Sequence, residues 1–540
     1  MMKYLSIATA ALLACGGGSA SPPDAMTAED AAPIDDAAPD AATAPDAAPV
    51  CLVIAGAPAE RVTTTSGVVR GARDGATWTY KGVPFAAPPV GDRRLRAPEP
   101  AACVRGERDA TAFGPTCPQL ADGAVVGEED CLQLNLWTPA VAAAPRPVMV
   151  WIHGGGNSVG TASDPLYDGR RLAEAGDVIV VTTNYRLGQL GFLAHPALDG
   201  ASGNFGTLDL VRALGWVRDN IAAFGGDPGN VTIFGESAGA RDVCTLLATP
   251  PAAGLFHRAL MESGACKFLP TRSAAETQGA MLVAATSCAG AADVPACLRT
   301  LPVATLITTL PGNPSALGSS PYQPTIDGTV LPEQPSAAMA AGRHHAVPFV
   351  VGANADETGA AAPAVASEAA YATLVHAEFG TALGDRVLQQ YPASRFPTPR
   401  AAYVRVTTDA RFVCPAREIA RAADAGQLAP VYRYFFEYGT PSPFGAVHGL
   451  DVPFVFGTFG AITTAANQPY QPTATDLAVS ATLQAAWTTF ARTGTPGTTP
   501  AWPTWIPATD PTLQLDATLS TIDGVRTADC DFWRPLYDSL

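Results

Sequence analysis

The turn at residues 235–239, with the sequence Gly-Glu-Ser-Ala-Gly, joins an apolar strand directly to a helix. The strand is predicted over residues 231–234, and the helical pattern continues through residues 243–247. Glycines are needed at both ends of so sharp a turn, because side chains there would collide with the neighbouring backbone. A bare Gly-x-Ser-x-Gly is often only a turn. With a strand before it and a helix after it, the sequence predicts a nucleophilic, exposed Ser237.

Short runs rich in Val and Ile alternate with helical patterns along the chain after residue 50. The predicted strands cover residues 148–152, 178–183, 231–234, 347–351 and 431–437. Near-continuous apolar strands separated by helices indicate an α/β fold with a large, mostly parallel central sheet flanked by helices. No internal repeat and no second linker appear in the sequence, so residues 51–540 are predicted to form a single catalytic domain. The long Gly/Pro-rich stretches 310–335 and 438–475 are expected to wall an active-site gorge.

A run of glycines offers the hydrogen-bond donors that such a serine needs. Residues 153–156, His-Gly-Gly-Gly, directly follow the predicted strand 148–152. Bare backbone amides can approach the oxygen of a tetrahedral intermediate where no side chain intervenes, which explains consecutive glycines. The alternatives are a flexible loop and a phosphate-binding turn. The second alternative needs a Gly-Lys-Ser/Thr sequence that opens a helix, and the chain has none.

Chain order selects the general base from the seven histidines. Where a serine stands on such a turn, the acid follows the serine and the histidine comes last, each at the carboxyl end of a strand. His448 satisfies this order, because it follows the predicted strand 431–437 in a glycine-containing loop. His257 is placed instead in a predicted helical stretch, residues 255–261, before any strand that carries an acid.

Two carboxylates compete for the acid that orients this base. Asp356 and Glu357 both lie just past the predicted strand 347–351, and the residues themselves do not decide between them. Asp327 is better explained as part of a turn, because Asp-Gly sequences favour tight turns. The acid is therefore predicted at position 356 or 357.

The N-terminus has the pattern of a bacterial export signal. Residues 1–14 carry one lysine and then an apolar run that is too short to span a membrane. Leu-Leu-Ala before Cys15 resembles a lipobox, in which the peptide is cut before the cysteine and the thiol carries lipid. An ordinary cleaved signal peptide is the alternative. The protein is therefore expected to be exported and lipid-anchored at the bacterial cell envelope, or otherwise periplasmic or secreted.

Residues 15–50 form a predicted disordered tether. Between positions 21 and 50, eleven Ala, six Pro and seven acidic residues leave little apolar surface to bury. The first 50 residues hold seven acids and one lysine, so the net charge of −16 says little about the substrate. An acidic chain does not favour nucleic acid as a partner. Membrane association is expected only through the lipid anchor.

Two segments closely resemble the signatures of the type B carboxylesterases, the cholinesterase-like group of α/β hydrolases. Residues 224–239 match the serine signature throughout. Residues 129–137 match a second signature except at Gln133, where an aromatic residue or threonine is usual. The resemblance extends over about residues 60–537. It implies the α/β-hydrolase fold, hydrolysis of carboxylic esters of small molecules or lipids, and neither a metal nor another cofactor.

The resemblance also assigns site residues. The family uses a glutamate in an Asp-Glu pair after the strand, which selects Glu357 as the acid. The implied catalytic triad consists of Ser237, Glu357 and His448. The implied oxyanion donors are the backbone amides of Gly155, Gly156 and Ala238. Supporting positions implied beside the triad and the neighbouring loop are Glu236, Asp451 and the ion pair of Arg94 with Glu129.

The ten cysteines from Cys51 onward are an even number, which in an exported protein favours disulfides over metal ligands. The resemblance implies three bridges: Cys117–Cys131, Cys288–Cys297 and Cys414–Cys530. Two further pairs, Cys244–Cys266 and Cys51–Cys103, are hypotheses. The loop that the first bridge closes contains no aromatic residue between positions 118 and 130. A preference for choline esters is therefore not expected, because no aromatic face is offered to a quaternary ammonium group.

Two classes of function fit these observations. A serine carboxylic-ester hydrolase agrees with the presence of every triad member, whereas a non-catalytic surface adhesion or binding protein on the same fold is the alternative. Four aromatic residues near the predicted loops are candidates for an acyl pocket, although packing is the simpler explanation. They are Tyr322, Phe412, Phe444 and Phe454. The oligomeric state is left open.

Overall fold

The computed structural model describes five stretches of the chain, which are residues 51–141, 145–198, 200–312, 320–464 and 467–537. The predicted export signal, Cys15 and the predicted tether lie outside these stretches. Residues 51–540 group together as one unit. Among the described residues, no helix combines the length and the apolar character that crossing a bilayer requires.

The described residues contain sixteen β-strands. In chain order the strands are β1 (Arg61–Thr64), β2 (Gly67–Arg70), β3 (Ala72–Asp74), β4 (Thr77–Pro84), β5 (Glu107–Asp109), β6 (Gln119–Ala121), β7 (Ala124–Val126), β8 (Gln133–Pro139), β9 (Arg146–Ile152), β10 (Ile179–Thr183), β11 (Gly226–Glu236), β12 (Arg258–Glu262), β13 (Phe349–Asn354), β14 (Val431–Phe436), β15 (Pro511–Leu515) and β16 (Ser520–Asp523).

Eleven of these strands form one sheet, in the order β16-β15-β14-β13-β12-β11-β9-β10-β8-β4-β3. Neighbouring strands from β10 to β15 are parallel, and the pairs towards both edges are antiparallel. The chain passes from β9 to β10 on one side and then to β11 on the other. Ligand sites of open α/β sheets lie at the carboxyl ends of strands where the order reverses in this way. The predicted fold class, a large and mostly parallel sheet, is confirmed.

Helices cover the sheet. In chain order they are α1 (Arg170–Gly176), α2 (Gly188–Phe192), α3 (Phe205–Asn220), α4 (Ala238–Leu247), α5 (Arg272–Ala284), α6 (Val294–Thr300), α7 (Val303–Thr308), α8 (Pro335–Ala340), α9 (Glu368–Gln390), α10 (Pro399–Thr408), α11 (Cys414–Gly426), α12 (Val452–Phe456), α13 (Ala474–Thr493) and α14 (Thr527–Tyr537). A π-helical turn, Asp409–Val413, joins α10 to α11. The course of α9 breaks at Gly380, whose φ of 73° is not helical.

The sheet is buried on both faces because its central strands are apolar at nearly every position. All seven residues of β9 are buried. Successive side chains of a strand point to opposite faces, and β9 divides accordingly. Val148, Val150 and Ile152 belong to one hydrophobic core, and Met149 and Trp151 belong to the other. The site at the end of β9 therefore rests on a strand that is packed from both sides.

The prediction of a helix over residues 255–261 is wrong, because this segment runs into strand β12. Ala259 to Met261 are fully buried there. Strand β12 pairs in parallel with β11 on one edge and with β13 on the other. Hydrogen bonding along both edges outweighs the local helical preference of Ala, Leu and Met. His257 precedes the strand, and its Nδ1 accepts the backbone amide of Val231 at 3.1 Å.

All five expected disulfides are present in the described residues. They are Cys51–Cys103, Cys117–Cys131, Cys244–Cys266, Cys288–Cys297 and Cys414–Cys530. The third bridge ties α4, which begins directly after Ser237, to the segment that follows β12. The fifth ties α11 to α14 near the C-terminal end of the chain. Covalent links of this kind restrict the unfolded chain.

A buried ion cluster joins β14 to α11 and to the segment before β15. The carboxylate of Asp510 accepts hydrogen bonds from Arg417 Nε at 2.8 Å, from Arg433 Nη1 at 2.8 Å and from Trp505 Nε1 at 2.6 Å. None of the three charged residues is more than 4% exposed. One carboxylate therefore serves two guanidinium groups that are shielded from water.

Replacing this carboxylate by an amide, Asp510→Asn, is expected to lower the free energy of unfolding by ~3–5 kcal/mol, because Arg433 loses its counter-charge in a buried environment. Among the described residues, Arg417 keeps only its ion pair with the exposed Asp531. Urea denaturation followed by tryptophan fluorescence measures the change. The matched control is Glu333→Gln, which removes the partner of the exposed Arg343 and should leave the urea midpoint almost unchanged. Equal shifts in the two variants would contradict the assignment of Asp510 as a structural centre.

Candidate active site

Ser237 stands between β11 and α4 in a strained backbone conformation, with φ of 58° and ψ of −119°. Its backbone amide donates to the carbonyl oxygen of Glu262 at 2.9 Å. A Cβ atom on Gly235 or on Gly239 would collide with the carbonyl oxygen of Ile152 at the end of β9. Strain of this kind persists only where the surrounding structure over-determines the conformation. The end of β9 and the start of α4 therefore fix the serine.

The side chains of Ser237, His448 and Glu357 form a continuous chain of hydrogen bonds. Ser237 Oγ lies 2.8 Å from His448 Nε2. On the other side of the ring, Nδ1 lies 2.7 Å from Glu357 Oε2. The second carboxylate oxygen of Glu357 accepts the backbone amide of Asn354 at 2.7 Å. The three residues that the sequence selects thus meet in one place, at the ends of β11, β13 and β14.

Asp356, the other candidate for the acid, and His153, another of the seven histidines, lie outside this chain of hydrogen bonds. Asp356 faces the loop after β14, where its Oδ2 accepts the backbone amide of Ala446 at 3.2 Å. His153 stacks on the ring of Tyr185 with centroids 4.6 Å apart. Burial lowers the pKa of His153 to about 4, so this ring is neutral at physiological pH. Of the two carboxylates at positions 356 and 357, Glu357 is the one that contacts His448.

The loop after β9 brings free backbone amides beside Ser237. Gly155 and Gly156 have φ values of 101° and 64°, and the Gly155 carbonyl oxygen accepts the amide of Val159 at 3.0 Å. A side chain on Gly155 would collide with the Val159 backbone. Within the described stretches, the amides of Gly155, Gly156 and Ala238 donate no hydrogen bond. The expected oxyanion donors are therefore available to an incoming oxygen.

Glu236, next to the serine, lies against the same histidine. Its Oε1 is 3.2 Å from His448 Nε2, and the Glu236 residue is 6% exposed. Burial raises the pKa of Glu236 to about 8, against the attraction of His448 and with the repulsion of Asp451 and Glu357. Burial lowers the pKa of His448, but Glu236 and Glu357 outweigh it and raise that pKa to about 9. The site thus favours a proton on the imidazole.

Two more buried carboxyl groups lie beneath this arrangement. Asp451 accepts Asn354 Nδ2 at 3.1 Å and the Tyr434 hydroxyl at 3.0 Å. Glu262, at the end of β12, accepts Trp487 Nε1 at 2.7 Å. Burial and the charge of Glu357 raise the pKa of Asp451 to about 6. Burial and the charge of Asp451 raise the pKa of Glu262 well above its usual range. Both acids therefore keep their protons to higher pH than exposed carboxyl groups do.

The aromatic candidates for an acyl pocket divide into two groups. Phe412, on the π-helical turn, lies beside His448 with ring centroids 4.8 Å apart. Phe444 is partly exposed on the loop after β14. Phe454 and Tyr322 are at most 1% exposed and act as packing residues. Only Phe412 of the four contacts the histidine ring, so this residue is the best placed to meet an acyl group.

The loop closed by Cys117–Cys131 is a short hairpin of β6 and β7. Gln119 in this hairpin pairs with both backbone groups of Gly160: its Nε2 donates to the carbonyl oxygen at 2.9 Å, and its Oε1 accepts the amide at 2.8 Å. The expected ion pair lies at the end of the same loop, where Arg94 donates twice to Glu129 at 2.6 Å. Through the two hydrogen bonds of Gln119, the hairpin therefore stabilises the position of Gly160, in the segment that follows the glycine run.

Sequence reasoning missed a polar group beneath the oxyanion loop. Asn157 follows the glycine run with a φ of 54°, and its Nδ2 donates to Asp242 Oδ2 at 2.8 Å. Arg241 Nη1 donates to Asn157 Oδ1 at 3.3 Å. The sequence offered one sign of this group. Two adjacent, opposite charges stand at positions 241 and 242, on the otherwise apolar helix that follows the serine.

Strand order and site position together define the class of protein. The nucleophile turn follows β11 beside the crossover of a mostly parallel sheet, and acid and histidine follow the next strands in the order serine, acid, histidine. This arrangement is the α/β-hydrolase fold.

Comparison with known proteins agrees with this class. The model of the carboxylesterase family matches residues 58–533. Para-nitrobenzyl esterase of Bacillus subtilis (strain 168) is 38% identical over 477 residues, which cover 85% of this chain and 95% of that protein. Fumonisin B1 esterase of Sphingopyxis macrogoltabida is 38% identical over 460 residues, 82% of this chain and 83% of that protein. A solved PNB esterase structure superposes with a TM-score of 0.77 at 35% identity, covering 88% of this chain and 99% of the other.

The chain therefore belongs to the carboxylesterase family. Human carboxylesterase 3 is 34% identical over 545 residues, covering 90% of this chain and 93% of that protein. Matches of this extent, to esterases of both bacterial and human origin, make this protein a carboxylic-ester hydrolase.

Removing the charge beside the histidine is expected to change the pH profile. Glu236 ionises above its pKa of about 8, and in Glu236→Gln no carboxylate can form 3.2 Å from Nε2, so the imidazolium is less stabilised and the pKa of His448 falls. A base with a lower pKa stays neutral to lower pH. The acidic limb of kcat/KM for p-nitrophenyl acetate should therefore move to lower pH by ~1 unit or more.

The control for this measurement is Glu276→Gln, which removes a carboxylate that pairs with Arg272 on α5. Its acidic limb should coincide with that of the wild-type protein. An acidic limb of Glu236→Gln that stays in place, or moves to higher pH, would show that Glu236 does not act on the base.

Proposed function

We propose that this protein hydrolyses esters through an acyl-enzyme intermediate on Ser237. His448 Nε2 removes the proton of the Ser237 hydroxyl, and Oγ attacks the carbonyl carbon of the ester. Glu357 holds the ring through Nδ1 and stabilises the imidazolium that forms. The same imidazolium then donates its proton to the oxygen of the leaving alcohol, and the acyl group stays on Oγ.

Deacylation repeats the sequence with water. His448 removes a proton from the water, whose oxygen attacks the acyl carbon, and the carboxylic acid leaves as Ser237 regains its proton. In both halves the amides of Gly155, Gly156 and Ala238 stabilise the tetrahedral oxygen. The proposed reaction requires neither a metal nor another cofactor.

One observation carries this proposal: the unbroken chain of hydrogen bonds from Ser237 Oγ through His448 to Glu357, at 2.8 and 2.7 Å. A nucleophile, its base and the orienting group within hydrogen-bond reach are the arrangement that covalent catalysis needs. A protein that only binds a partner has no need of this alignment beside three free amides. A non-catalytic adhesion role is therefore not favoured.

Small-molecule esters are the proposed substrates. Two relatives, named para-nitrobenzyl esterase and fumonisin B1 esterase, support a small-molecule ester as the substrate. The hairpin between positions 118 and 130 contains no aromatic residue. A cationic choline group would find no ring there, so neutral esters are expected to be hydrolysed in preference to choline esters.

Replacing the nucleophile, Ser237→Ala, is expected to lower kcat for p-nitrophenyl acetate by ~10⁴–10⁶-fold, because the triad acts as a unit. The steady-state release of nitrophenolate measures the effect, and a fluorophosphonate probe should label the wild-type protein but not the variant. The matched control is Ser202→Ala, which removes a hydroxyl whose bonds, among the described residues, are to the His195 backbone. Full turnover in the purified Ser237→Ala protein would rule out the mechanism.

We also infer that the chain is exported and held at the bacterial envelope by lipid on Cys15. The lipobox-like Leu-Leu-Ala before Cys15 and the Ala/Pro/Asp-rich segment that follows support this location. A single lipid-bearing terminus with a long polar spacer would leave the catalytic domain free in the aqueous phase.

Expression of the full chain in a bacterial host tests this location. Wild-type protein is expected in the membrane fraction with a lipid mass on Cys15, and Cys15→Ser is expected in the soluble fraction, because the thiol that accepts the lipid is gone. Ser21→Ala, in the following segment, serves as the control and should fractionate like the wild type. Wild-type protein found without lipid in the soluble fraction would favour an ordinary cleaved signal peptide.

A further inference from the structure

Asn157 is the residue that most needs an explanation outside the triad. It directly follows Gly156, is fully buried and has a φ of 54°. A residue other than glycine in this left-handed region is strained, although asparagine tolerates it better than most. Gly155 and Gly156 also have positive φ, so three successive residues turn the same way. The amides expected to bind the oxyanion belong to the two residues before Asn157. Their position therefore depends on contacts that hold Asn157 in its strained conformation.

The side chain of Asn157 is held at both ends of its amide group. Nδ2 donates to Asp242 Oδ2 at 2.8 Å, and Oδ1 accepts Arg241 Nη1 at 3.3 Å. The backbone carbonyl oxygen of Asn157 accepts the amide of Gly188 at 2.7 Å. Tyr185, beside the same group, donates its hydroxyl to the carbonyl oxygen of His153 at 2.9 Å. The oxyanion loop is thus bonded on either side of the glycine run.

Burying the carboxyl group of Asp242 at this position costs free energy of desolvation. Asp242 is 1% exposed, and its second oxygen, Oδ1, has no hydrogen-bond partner within the described residues. Burial raises the pKa of Asp242 to about 7, against the attraction of Arg241 and the hydrogen bonds of Asn157 and Tyr185. Folding stability alone does not require such a group, because an apolar side chain of the same size would avoid the cost of desolvation.

The position of Asp242 gives it a role in the site. Asp242 lies on α4, five residues after Ser237, and the same helix begins with Ala238. The nucleophile therefore directly precedes one short helix, which carries both the third free amide and the carboxylate that holds the loop with the other two amides. Donors in an oxyanion hole act by being fixed in advance of the reaction, and a single rigid element fixes them relative to one another.

We propose that Asp242 is a positioning residue for the oxyanion hole: its carboxylate holds Asn157 in the left-handed conformation that presents the amides of Gly155 and Gly156. Asp242 touches neither Ser237 nor His448 and acts through Asn157. The inference rests on the ester hydrolysis proposed above.

Two variants test this role. Asp242→Ala removes the acceptor of the Asn157 amide. Asn157→Gly removes the side chain that is held, yet glycine adopts a φ of 54° without strain, so this variant is expected to fold. If the hydrogen bond between Asn157 and Asp242 positions the loop, both variants lose kcat by ~10²-fold, while KM changes little. This loss is comparable to the effect of deleting an oxyanion donor. Should Asp242→Ala fail to fold, Asn157→Gly decides.

The matched control is Thr245→Ala, which deletes a hydroxyl on the same helix. Within the part of the chain that the structure describes, this hydroxyl bonds only the Arg241 carbonyl oxygen of its own helix. Its kcat should equal that of the wild type. The decisive readout is the ratio of kcat for an ester and for its thionoester. Sulfur accepts hydrogen bonds poorly, so an aligned oxyanion hole makes this ratio large, and misaligned donors make it smaller. The acidic limb of the pH profile, which reports on His448, should not move.

The possible results distinguish a failure of the role proposed for Asp242 from a failure of the proposed function. A fall in kcat together with a smaller ester-to-thionoester ratio supports the proposal. Unchanged kcat in folded Asn157→Gly, or a lower kcat with an unchanged ratio, overturns it. Wild-type protein that turns over no ester at all would instead contradict the proposed function. Activity in the wild type with none of the expected losses in the variants contradicts the role of Asp242 alone.

Discussion

The close approach of the end of β9 to the start of α4 is the constraint on which the rest of the site depends. Gly239 lies so near the carbonyl oxygen of Ile152 that no side chain fits between them. The helix can therefore start only where it does, and Ser237 must take up its strained φ of 58° to connect β11 with it. The strain is tolerated because β9 and β11 are paired in parallel and buried on both faces. The rigid central sheet holds the strained turn, and with it the nucleophilic serine, in one position.

The second constraint is electrostatic. Glu236, Glu262, Glu357 and Asp451 are buried within one region around His448. Burial, together with the repulsion between neighbouring carboxylates, raises the pKa of Glu236, Glu262 and Asp451. Glu357 accepts a backbone amide and contacts the imidazole directly. A site that favours the imidazolium also favours the transition state in which the imidazolium forms. The cost is that the resting histidine holds its proton to higher pH. The balance between these effects rests on Glu236, whose carboxylate lies closest to Nε2.

Residues that are close in sequence or carry a strong pattern could be predicted. The Gly-x-Ser-x-Gly turn, the glycine run and the parallel sheet follow from local sequence patterns, and His448 follows from the order of the strands. Asp356 and Glu357 could not be separated by pattern alone, because one residue of register decides which carboxylate faces the histidine; resemblance to a family was needed. The helix predicted over residues 255–261 failed because pairing along both edges of β12 is a tertiary effect. The Asn157–Asp242 contact spans 85 positions, and nothing local marks the two residues as partners.

The claim that ester cleavage passes through a covalent acyl group on Ser237 is tested most directly by trapping that group. Wild-type protein mixed with p-nitrophenyl acetate should release a burst of about one nitrophenolate per active site, because acylation by an activated ester outpaces deacylation. After acid quenching, peptide mass spectrometry should find an acetyl group on the peptide that contains Ser237, and His448→Ala protein should show neither burst nor adduct. Steady turnover of the ester without an adduct on Ser237, or with the acetyl group on another residue, would contradict the mechanism.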